Sequence, residues 1–227
     1  MSIASFHLIR YGTAGAMRYM AFDRPVLRRT TGLTFWRLLG TGRGRAMTLG
    51  ADLRRWALLA VWRREADLDA FLAGSPIAAR WRAEAVESWH VRLAPLASRG
   101  RWGGIDPFPG QVGVLEAGPL AVLTRAAIRP ARLVAFYRSV PPVDASLGGQ
   151  EGLLASVAVG EWPVARQATF SLWRDRDAAN RFAYAAREHR QVIERTRAGN
   201  WYSEELFARF RPYGSEGTWD GADPLTG

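Results

Sequence analysis

The stretch "SRGRWGGIDPF" (residues 98–108) recurs later in the chain as "SEGTWDGADPL" (residues 215–225). The matching positions are Ser98/Ser215, Gly100/Gly217, Trp102/Trp219, Gly104/Gly221, Asp106/Asp223 and Pro107/Pro224, aligned without a gap. The segments "AVWRREADLDAF" (60–71) and "SLWRDRDAANRF" (171–182) also match, placing Trp62 against Trp173 and Phe71 against Phe182. Self-similarity of this kind is typical of a repeated structural unit, so the sequence predicts two halves of similar plan.

Each half shows the same order of hydrophobic patterns. The first predicts strands or helices at 3–11, 16–29, 33–40, 55–62, 65–85 and 88–96, and the second at 119–128, 131–140, 153–160, 166–173, 175–197 and 201–210. Both give strand, helix, strand, strand, helix, strand, which is the ferredoxin-like unit. The predicted fold class is therefore α+β, with two fused ferredoxin-like repeats, 1–110 and 111–227, covering each other's sheets in a pseudo-dimeric α+β barrel.

Local signals support these elements. Asp175 is placed to cap the second long helix, because its side chain can accept free backbone N–H groups of the first turn. Gly199 is placed to end that helix. Pro25 and Pro141–Pro142 are expected to interrupt or end the first helix of each half, and the Gly- and Pro-rich segment 96–118 is expected to connect the halves.

Composition limits the chemistry. The chain of 227 residues has no cysteine, which excludes disulfides, thiolate metal sites and cysteine nucleophiles. It carries a net charge of +10, largely from arginine, but no nucleic-acid-binding signature, so we expect no nucleic-acid partner. With no signal peptide or long apolar segment, the prediction is a cytoplasmic protein whose basic surface allows peripheral contact with anionic membranes.

Aromatic residues are abundant, with 10 tryptophans. In "QATFSLW" the strand alternation sends Phe170 to one face and Trp173 to the other. Two explanations remain open for the aromatic content. It can fill an ordinary core, or it can line a wide apolar pocket for a planar cofactor or a polyene.

Other candidate sites in the sequence have less support. The loop "GTGRGRAM" (40–47) lacks the Lys-Ser/Thr of a phosphate-binding loop and predicts a long hairpin loop instead. Glu204 and Glu205 are adjacent on a predicted strand, so they face opposite ways and do not form an acid/base pair. His7 and His90 have no ligand-spaced partner and are interpreted as ordinary core or surface histidines.

His189 is the histidine that the repeat singles out. It shares one helical stripe with Phe182, Ala185, Ala186, Val192 and Ile193, so we expect it to point inward. Its counterpart in the first half is Ala78, which indicates that packing alone does not require an imidazole there. Two roles stay open: a hydrogen-bonded core histidine, or the single axial ligand of a haem iron.

The segments "FWRLLGTGRG", "WALLAVW", "GPLAVLTRA", "QATFSLW" and "WYSEELFARF" resemble the spheroidene monooxygenase family, and the resemblance runs through nearly the whole chain. It implies haem-dependent oxygenation of an acyclic carotenoid, with insertion of a keto group at an allylic carbon. It also implies a small hydrophobic substrate and an external electron donor, a ferredoxin or a reductase. Because the fused halves already form a barrel, we expect a monomer or a weak homo-oligomer.

The run "LWRDRDAANRFAYAAREHRQV" is similar in layout to the haem-binding helix of bacterial haem-degrading monooxygenases. That likeness implies that His189 holds haem iron and that Thr124, beside Arg125, lies at the distal position. Thr124 and Arg125 are therefore the candidate catalytic residues, with Arg125 the first candidate to pair with the haem propionates. The residues expected to wall the pocket are Phe170, Trp173, Phe182, Tyr184 and Trp201. A cofactor-free barrel that binds a small hydrophobic ligand, and a haem-degrading protein, are the alternatives.

Overall fold

The computed structural model describes residues 2–42, 51–110, 113, 117–129, 131, 150–162, 166–188 and 202–226. The strands are β1 (Ile3–Tyr11), β2 (Leu33–Gly42), β3 (Ala51–Trp62), β4 (Ala85–Gly100), β5 (Leu120–Ile128), β6 (Leu153–Trp162), β7 (Arg166–Trp173) and β8 (Tyr202–Gly217). The helices are a 3-10 helix (Ala14–Arg18), α1 (Tyr19–Arg29), α2 (Glu65–Gly74), α3 (Pro76–Glu84) and α4 (Arg176–Glu188). The predicted helix at 131–140, apart from Ala131, and Gly199 lie outside the described residues.

The strands close into one antiparallel barrel in the order β1-β3-β2-β6-β7-β5-β8-β4. Within it, β4-β1-β3-β2 and β8-β5-β7-β6 follow the same order, which is that of a ferredoxin-like sheet. The halves meet along a long β4–β8 seam and a shorter β2–β6 seam, in which, among the described residues, Gly40 pairs with Gly160 and Thr41 with Val159. The predicted α+β class with a large antiparallel sheet is confirmed.

The pairing register repeats between the halves. Trp62 pairs with Ile3 of β1, and Trp173 pairs with Leu120 of β5. The β1–β4 ladder shifts between Arg10 and Tyr11, and the β5–β8 ladder shifts at the same place, between Ala127 and Ile128. A residue of one half therefore has a definite counterpart in the other.

The helical layer departs from the sequence prediction at two prolines. The helix expected at 65–85 is two helices, because Pro76 disfavours helical backbone at Ser75, which is extended at φ −75° and ψ 145°. The Ser75 hydroxyl then caps α3 by accepting a hydrogen bond from the Ala78 amide at 3.0 Å. Pro25, by contrast, does not end its helix: it lies inside α1 on an exposed turn, where the carbonyl that loses its partner faces water.

The described residues form two apolar layers, one inside the barrel and one between sheet and helices. The barrel interior is filled from both halves, and Phe6 stacks on Phe170 with ring centroids 4.0 Å apart. The outer face of the N-terminal sheet is covered by α2 and α3, whose Phe71 and Trp81 pack with Trp62. We call this outer face, in either half, the helix-facing side of the sheet.

The two repeated motifs close the two ends of the barrel. Trp102 and Trp219 are both buried and belong to the interior cluster. Each lies in a tight loop, in which the Trp102 amide donates to the Ile105 carbonyl at 2.8 Å and the Trp219 amide donates to the Ala222 carbonyl at 2.8 Å. The sequence repeat that predicted the two halves is therefore a pair of end loops.

Each end loop is held by a carboxylate from the opposite half. Glu204 of β8 accepts hydrogen bonds from the amides of Gly103 and Gly104, at 2.8 and 2.7 Å. Glu87 of β4 accepts one from the amide of Gly221 at 2.8 Å. Neither end loop is completed within its own half, so these contacts join the two halves.

A substitution at Gly217 tests how the second end loop closes the barrel. The φ of Gly217 is +87°, and a Cβ there would collide with the Ser88 carbonyl, which accepts the Thr218 amide of the same loop. We expect Gly217→Ala to lower the free energy of unfolding by at least about 2 kcal/mol, measured by urea denaturation.

Gly74→Ala is the control, because a Cβ added there would meet no atom within 4 Å and the residue stands at the end of α2. This change should shift the free energy of unfolding by less than about 1 kcal/mol. Equal effects of the two substitutions would contradict the role given to Gly217.

Candidate functional site

The helix-facing side of the N-terminal half is closed by a histidine pair. The Nδ1 atoms of His7 and His90 lie 2.9 Å apart, so one ring donates to the other across the β1–β4 ladder. The Nε2 of His7 is 2.8 Å from the Ser5 hydroxyl, which also accepts from the Trp62 indole at 2.9 Å. The Trp81 ring covers both imidazoles, with centroids 5.2 and 5.5 Å away. The imidazoles and the Trp81 ring are closely packed in this region.

Both imidazoles are held neutral. Burial, followed by the neighbouring His90 and Arg92, lowers the pKa of His7 well below 6.5. Burial lowers the pKa of His90 to about 4, against a smaller opposing effect of Glu216. Two neutral rings can share one hydrogen bond, so the pair is satisfied, as the sequence interpretation of these histidines expected. That they contact each other was not predicted.

The same positions in the C-terminal half are less buried. Thr124 is the counterpart of His7, because it pairs with Thr169 where His7 pairs with Leu58. Thr124 is exposed, whereas His7 is only 1% exposed. Phe207, the counterpart of His90, is half-buried. The helix-facing side of the C-terminal sheet thus presents a threonine and an aromatic ring where the other half is filled.

One aromatic wall of this region is well defined. Trp173 is buried, and its indole donates to the Ser171 hydroxyl at 2.9 Å. Phe182 of α4 packs against it, with ring centroids 5.1 Å apart. The start of α4 is fixed by Asp175, whose carboxylate accepts from the Ala178 amide at 2.7 Å, as the sequence predicted. We call the region formed by Thr124, Trp173, Phe182 and Phe207 the C-terminal pocket.

The residues expected to wall one pocket are divided between two faces. Trp173 and Phe182 lie on the helix-facing side, whereas Phe170 is fully buried in the barrel interior against Phe6. The parity of the strand causes this separation, since residues three apart on β7 face opposite ways. Tyr184 belongs to α4, but its side chain is not described, and His189 and Trp201 lie outside the described residues.

Arg125 is likewise on the other face from Thr124. Its side chain is 2% exposed and forms an ion pair with Glu204, and its guanidinium lies 5.2 Å from the centre of the Trp102 ring. Burial acts to raise the pKa of Glu204. The hydrogen bonds from the Gly104 and Gly103 amides and the charge of Arg125 outweigh that effect and lower the pKa. Arg125 therefore secures the end loop of the barrel, and in this structure it does not face the C-terminal pocket.

The described residues contain no group of three or more His, Asp or Glu side chains that could hold a metal ion. Within the same residues, no helix has the length and apolar content needed to cross a bilayer.

Comparison with known proteins places the chain. No protein-family model matches it. A solved structure of aldoxime dehydratase is similar in fold, with a TM-score of 0.56 and 12% sequence identity, covering 100% of this chain and 86% of that chain. At this identity the likeness concerns fold alone, and the fold is an α+β barrel.

Sequence relatives are more specific. The spheroidene monooxygenase of Rhodobacter capsulatus is 38% identical over 231 residues, covering 99% of this chain and 96% of that protein. That of Rubrivivax gelatinosus is 33% identical over 207 residues, covering 91% and 79%. The chain belongs to the spheroidene monooxygenase family, which confirms the resemblance found in the sequence, and it is accordingly an oxygenase.

The histidine pair gives the protein an acid sensitivity. Below pH 6.5 the unfolded chain takes up protons that His7 and His90 cannot take up while buried, so the free energy of unfolding falls as the pH drops from 6.5 towards 4. The double variant His7→Leu/His90→Phe should flatten this dependence by up to about 1.4 kcal/mol per pH unit for each histidine. The measurement is urea unfolding at several pH values, and parallel curves for variant and parent would refute the assignment.

Arg125 is expected to act on stability. Arg125→Met leaves the partly buried carboxylate of Glu204 without its ion-pair partner, and about 3 kcal/mol of unfolding free energy should be lost. Adding Glu204→Gln should restore part of that loss, because the uncompensated charge is removed. If Arg125→Met left stability unchanged, Arg125 would not be the anchor of the end loop.

Proposed function

We propose that the chain is a haem-dependent monooxygenase that inserts a keto group into an acyclic carotenoid, with the haem in the C-terminal pocket. The observation that carries this proposal is the contrast between exposed Thr124 and buried His7 at one register position. Two halves built on one strand order differ there in the exposure of the side chain. The family relatives, which are named for spheroidene, supply the substrate class.

The described residues fit a flat apolar group. Trp173 and Phe182 form an aromatic wall, Phe207 presents a second ring from β8, and Thr124 adds one hydroxyl. Aromatic and apolar walls with few polar groups are typical of sites for planar cofactors. In the N-terminal half the corresponding volume is taken by Trp81, whose counterpart in the sequence is Val192, a smaller residue outside the described part of the chain.

The proposed iron ligand is His189. Its counterpart Ala78 is 2% exposed and packs in α3 within the cluster of Trp62 and Trp81, on the helix-facing side. A side chain at the matching position of the C-terminal half would point at the C-terminal pocket if the halves correspond there as they do along the strands. One histidine is enough for a haem, because the porphyrin supplies the other in-plane donors.

The cofactor, when bound, supplies O₂ activation. The chain itself would do three things: Trp173 and Phe182 would exclude water, Thr124 would offer its hydroxyl to a polar atom, and the apolar lining would hold a hydrocarbon substrate by burial. We propose an external electron donor, a ferredoxin or a reductase, since the sequence carries no flavin or nicotinamide motif. The net charge of +10 supports peripheral contact with anionic membranes, where a carotenoid resides.

The finer organisation of the fold belongs to the same proposal. We take the halves, 1–110 and 111–227, as two fused copies of one ferredoxin-like unit, supported by the matched strand order and register. The fused barrel makes further assembly unnecessary, so the proposed state is a monomer or a weak homo-oligomer.

Haem binding is the first test. The purified protein titrated with haem should develop a Soret band at a stoichiometry of about one, and His189→Ala should lose most of it. His90→Phe is the matched control, because it removes a histidine from the filled half and should leave the Soret band intact. Absence of haem binding by the parent protein would refute the cofactor and leave a cofactor-free barrel.

The location of the pocket has its own test. Thr124→Trp places a large ring at an exposed position and should block haem binding while changing the free energy of unfolding little. Unchanged haem affinity of a folded Thr124→Trp variant would show that the haem lies elsewhere.

A further inference from the structure

The two halves carry opposite charges at matching positions on their helix-facing sides. In the N-terminal half, Arg92 of β4 is paired with two carboxylates of α2. Its Nη1 is 3.1 Å from the Oε1 of Glu65, and its Nη2 is 2.7 Å from the Oδ1 of Asp69. This arginine is thus neutralised by its own half.

In the C-terminal half the arginine is kept and the carboxylates are not. Arg209 is the counterpart of Arg92, since Arg92 pairs with Ser5 and Arg209 with the corresponding Val122. In the aligned segments, Glu65 becomes Arg176 and Asp69 becomes Asn180. Arg209 donates to the Asn180 Oδ1 at 3.1 Å, a neutral acceptor in place of an anion. Because Arg176 precedes Asn180 by one helical turn, both lie on the face of α4 that meets Arg209.

The charge also changes sign at a position on the neighbouring strand. In β8, Glu216 lies opposite His90, and the matching pair in the C-terminal half is Arg99 opposite Phe207. The guanidinium groups of Arg99 and Arg209 both approach the Phe207 ring, at 5.7 and 5.4 Å from its centre. The acidic trio of one half is therefore replaced by two arginines and an amide in the other.

The pKa of Arg209 is lowered by burial and by the concentration of positive charge around it. Burial, and then the charges of Arg176 and Arg99, lower the pKa of Arg209, whereas at Arg92 burial is outweighed by Asp69 and Glu65, which raise its pKa. The Nε of Arg209 is buried with no hydrogen-bond partner. Among the described residues, no carboxylate lies within ion-pair distance of Arg99, Arg176 or Arg209. Arg209 is half-buried, Arg99 and Arg176 are exposed beside it, and like charges held this close are stabilised by a bound anion.

We propose that Arg99, Arg176 and Arg209 form an anion-binding site at the edge of the C-terminal pocket, and that its ligand is the pair of carboxylates of the bound haem. The inference rests on the proposed function for the identity of the ligand. Phe207, which belongs to the pocket, is flanked by two of these arginines, so an apolar ring system in the pocket can place its carboxylates among them. Arg125, the first candidate for this role in the sequence, is occupied by Glu204 on the opposite face.

The acidic residues of the N-terminal half suggest the substitutions for a test. The variant Arg99→Glu/Arg176→Glu/Asn180→Asp installs at these positions the acidic residues of the N-terminal half, Glu216, Glu65 and Asp69, and it should fold with at least the parent's stability because Arg209 gains partners. We expect its affinity for haem to fall about tenfold or more. Haem dimethyl ester, whose carboxylates are blocked, should bind parent and variant equally. Arg28→Glu, an exposed substitution on α1, is the control for charge alone.

The outcomes separate the two proposals. If parent and folded variant bind haem with equal affinity, the anion site is wrong and the proposed function stands. If the parent binds neither haem nor its ester, the proposed function fails, and thermal unfolding with pyrophosphate decides the site. A rise in Tm for the parent and none for the variant would support an anion site, and no rise for either would overturn it.

Discussion

The barrel depends on the exchange of two carboxylates between its halves. The amides of Gly103, Gly104 and Gly221 lie in exposed end loops, outside the strand ladders, and need hydrogen-bond partners. Glu204 and Glu87 supply those partners, each from the half to which the end loop does not belong. Trp102 and Trp219 can then enter the interior and complete the apolar packing that includes Phe6 and Phe170. Neither half has a finished core by itself.

On this shared frame, the two helix-facing sides differ. One is filled by His7, His90 and Trp81, and its strand arginine Arg92 is neutralised. The other leaves Thr124 exposed and gathers positive charge around Phe207. A chain with two equal halves would offer two equal sites. Filling one half stabilises the barrel through buried aromatic area.

Much of this fold was accessible from the sequence, because strand alternation and a gapless repeat fix the order of the elements. The β1 boundaries, the Asp175 cap and the opposite orientations of Phe170 and Trp173 follow from local rules. What local rules miss depends on pairs distant in sequence. His7 and His90 meet because β1 and β4 are neighbours in a ferredoxin-like sheet, and Arg125 meets Glu204 because β5 and β8 are. The same parity rule that separates Phe170 from Trp173 also separates Thr124 from Arg125, and it would have removed Arg125 from the pocket at the outset.

The reciprocal end loops also bear on how the chain reaches its fold. Glu87 and Gly221 are 134 residues apart, and Glu204 and Gly104 are 100 apart. Contacts of such long range close large loops before they return any stabilisation, which is the situation in which folding is slow. The N-terminal four strands must therefore wait, as an open sheet with an unpaired β4 edge, until β8 has been made. Until then β4, which forms the longest described seam with β8, presents an unpaired edge.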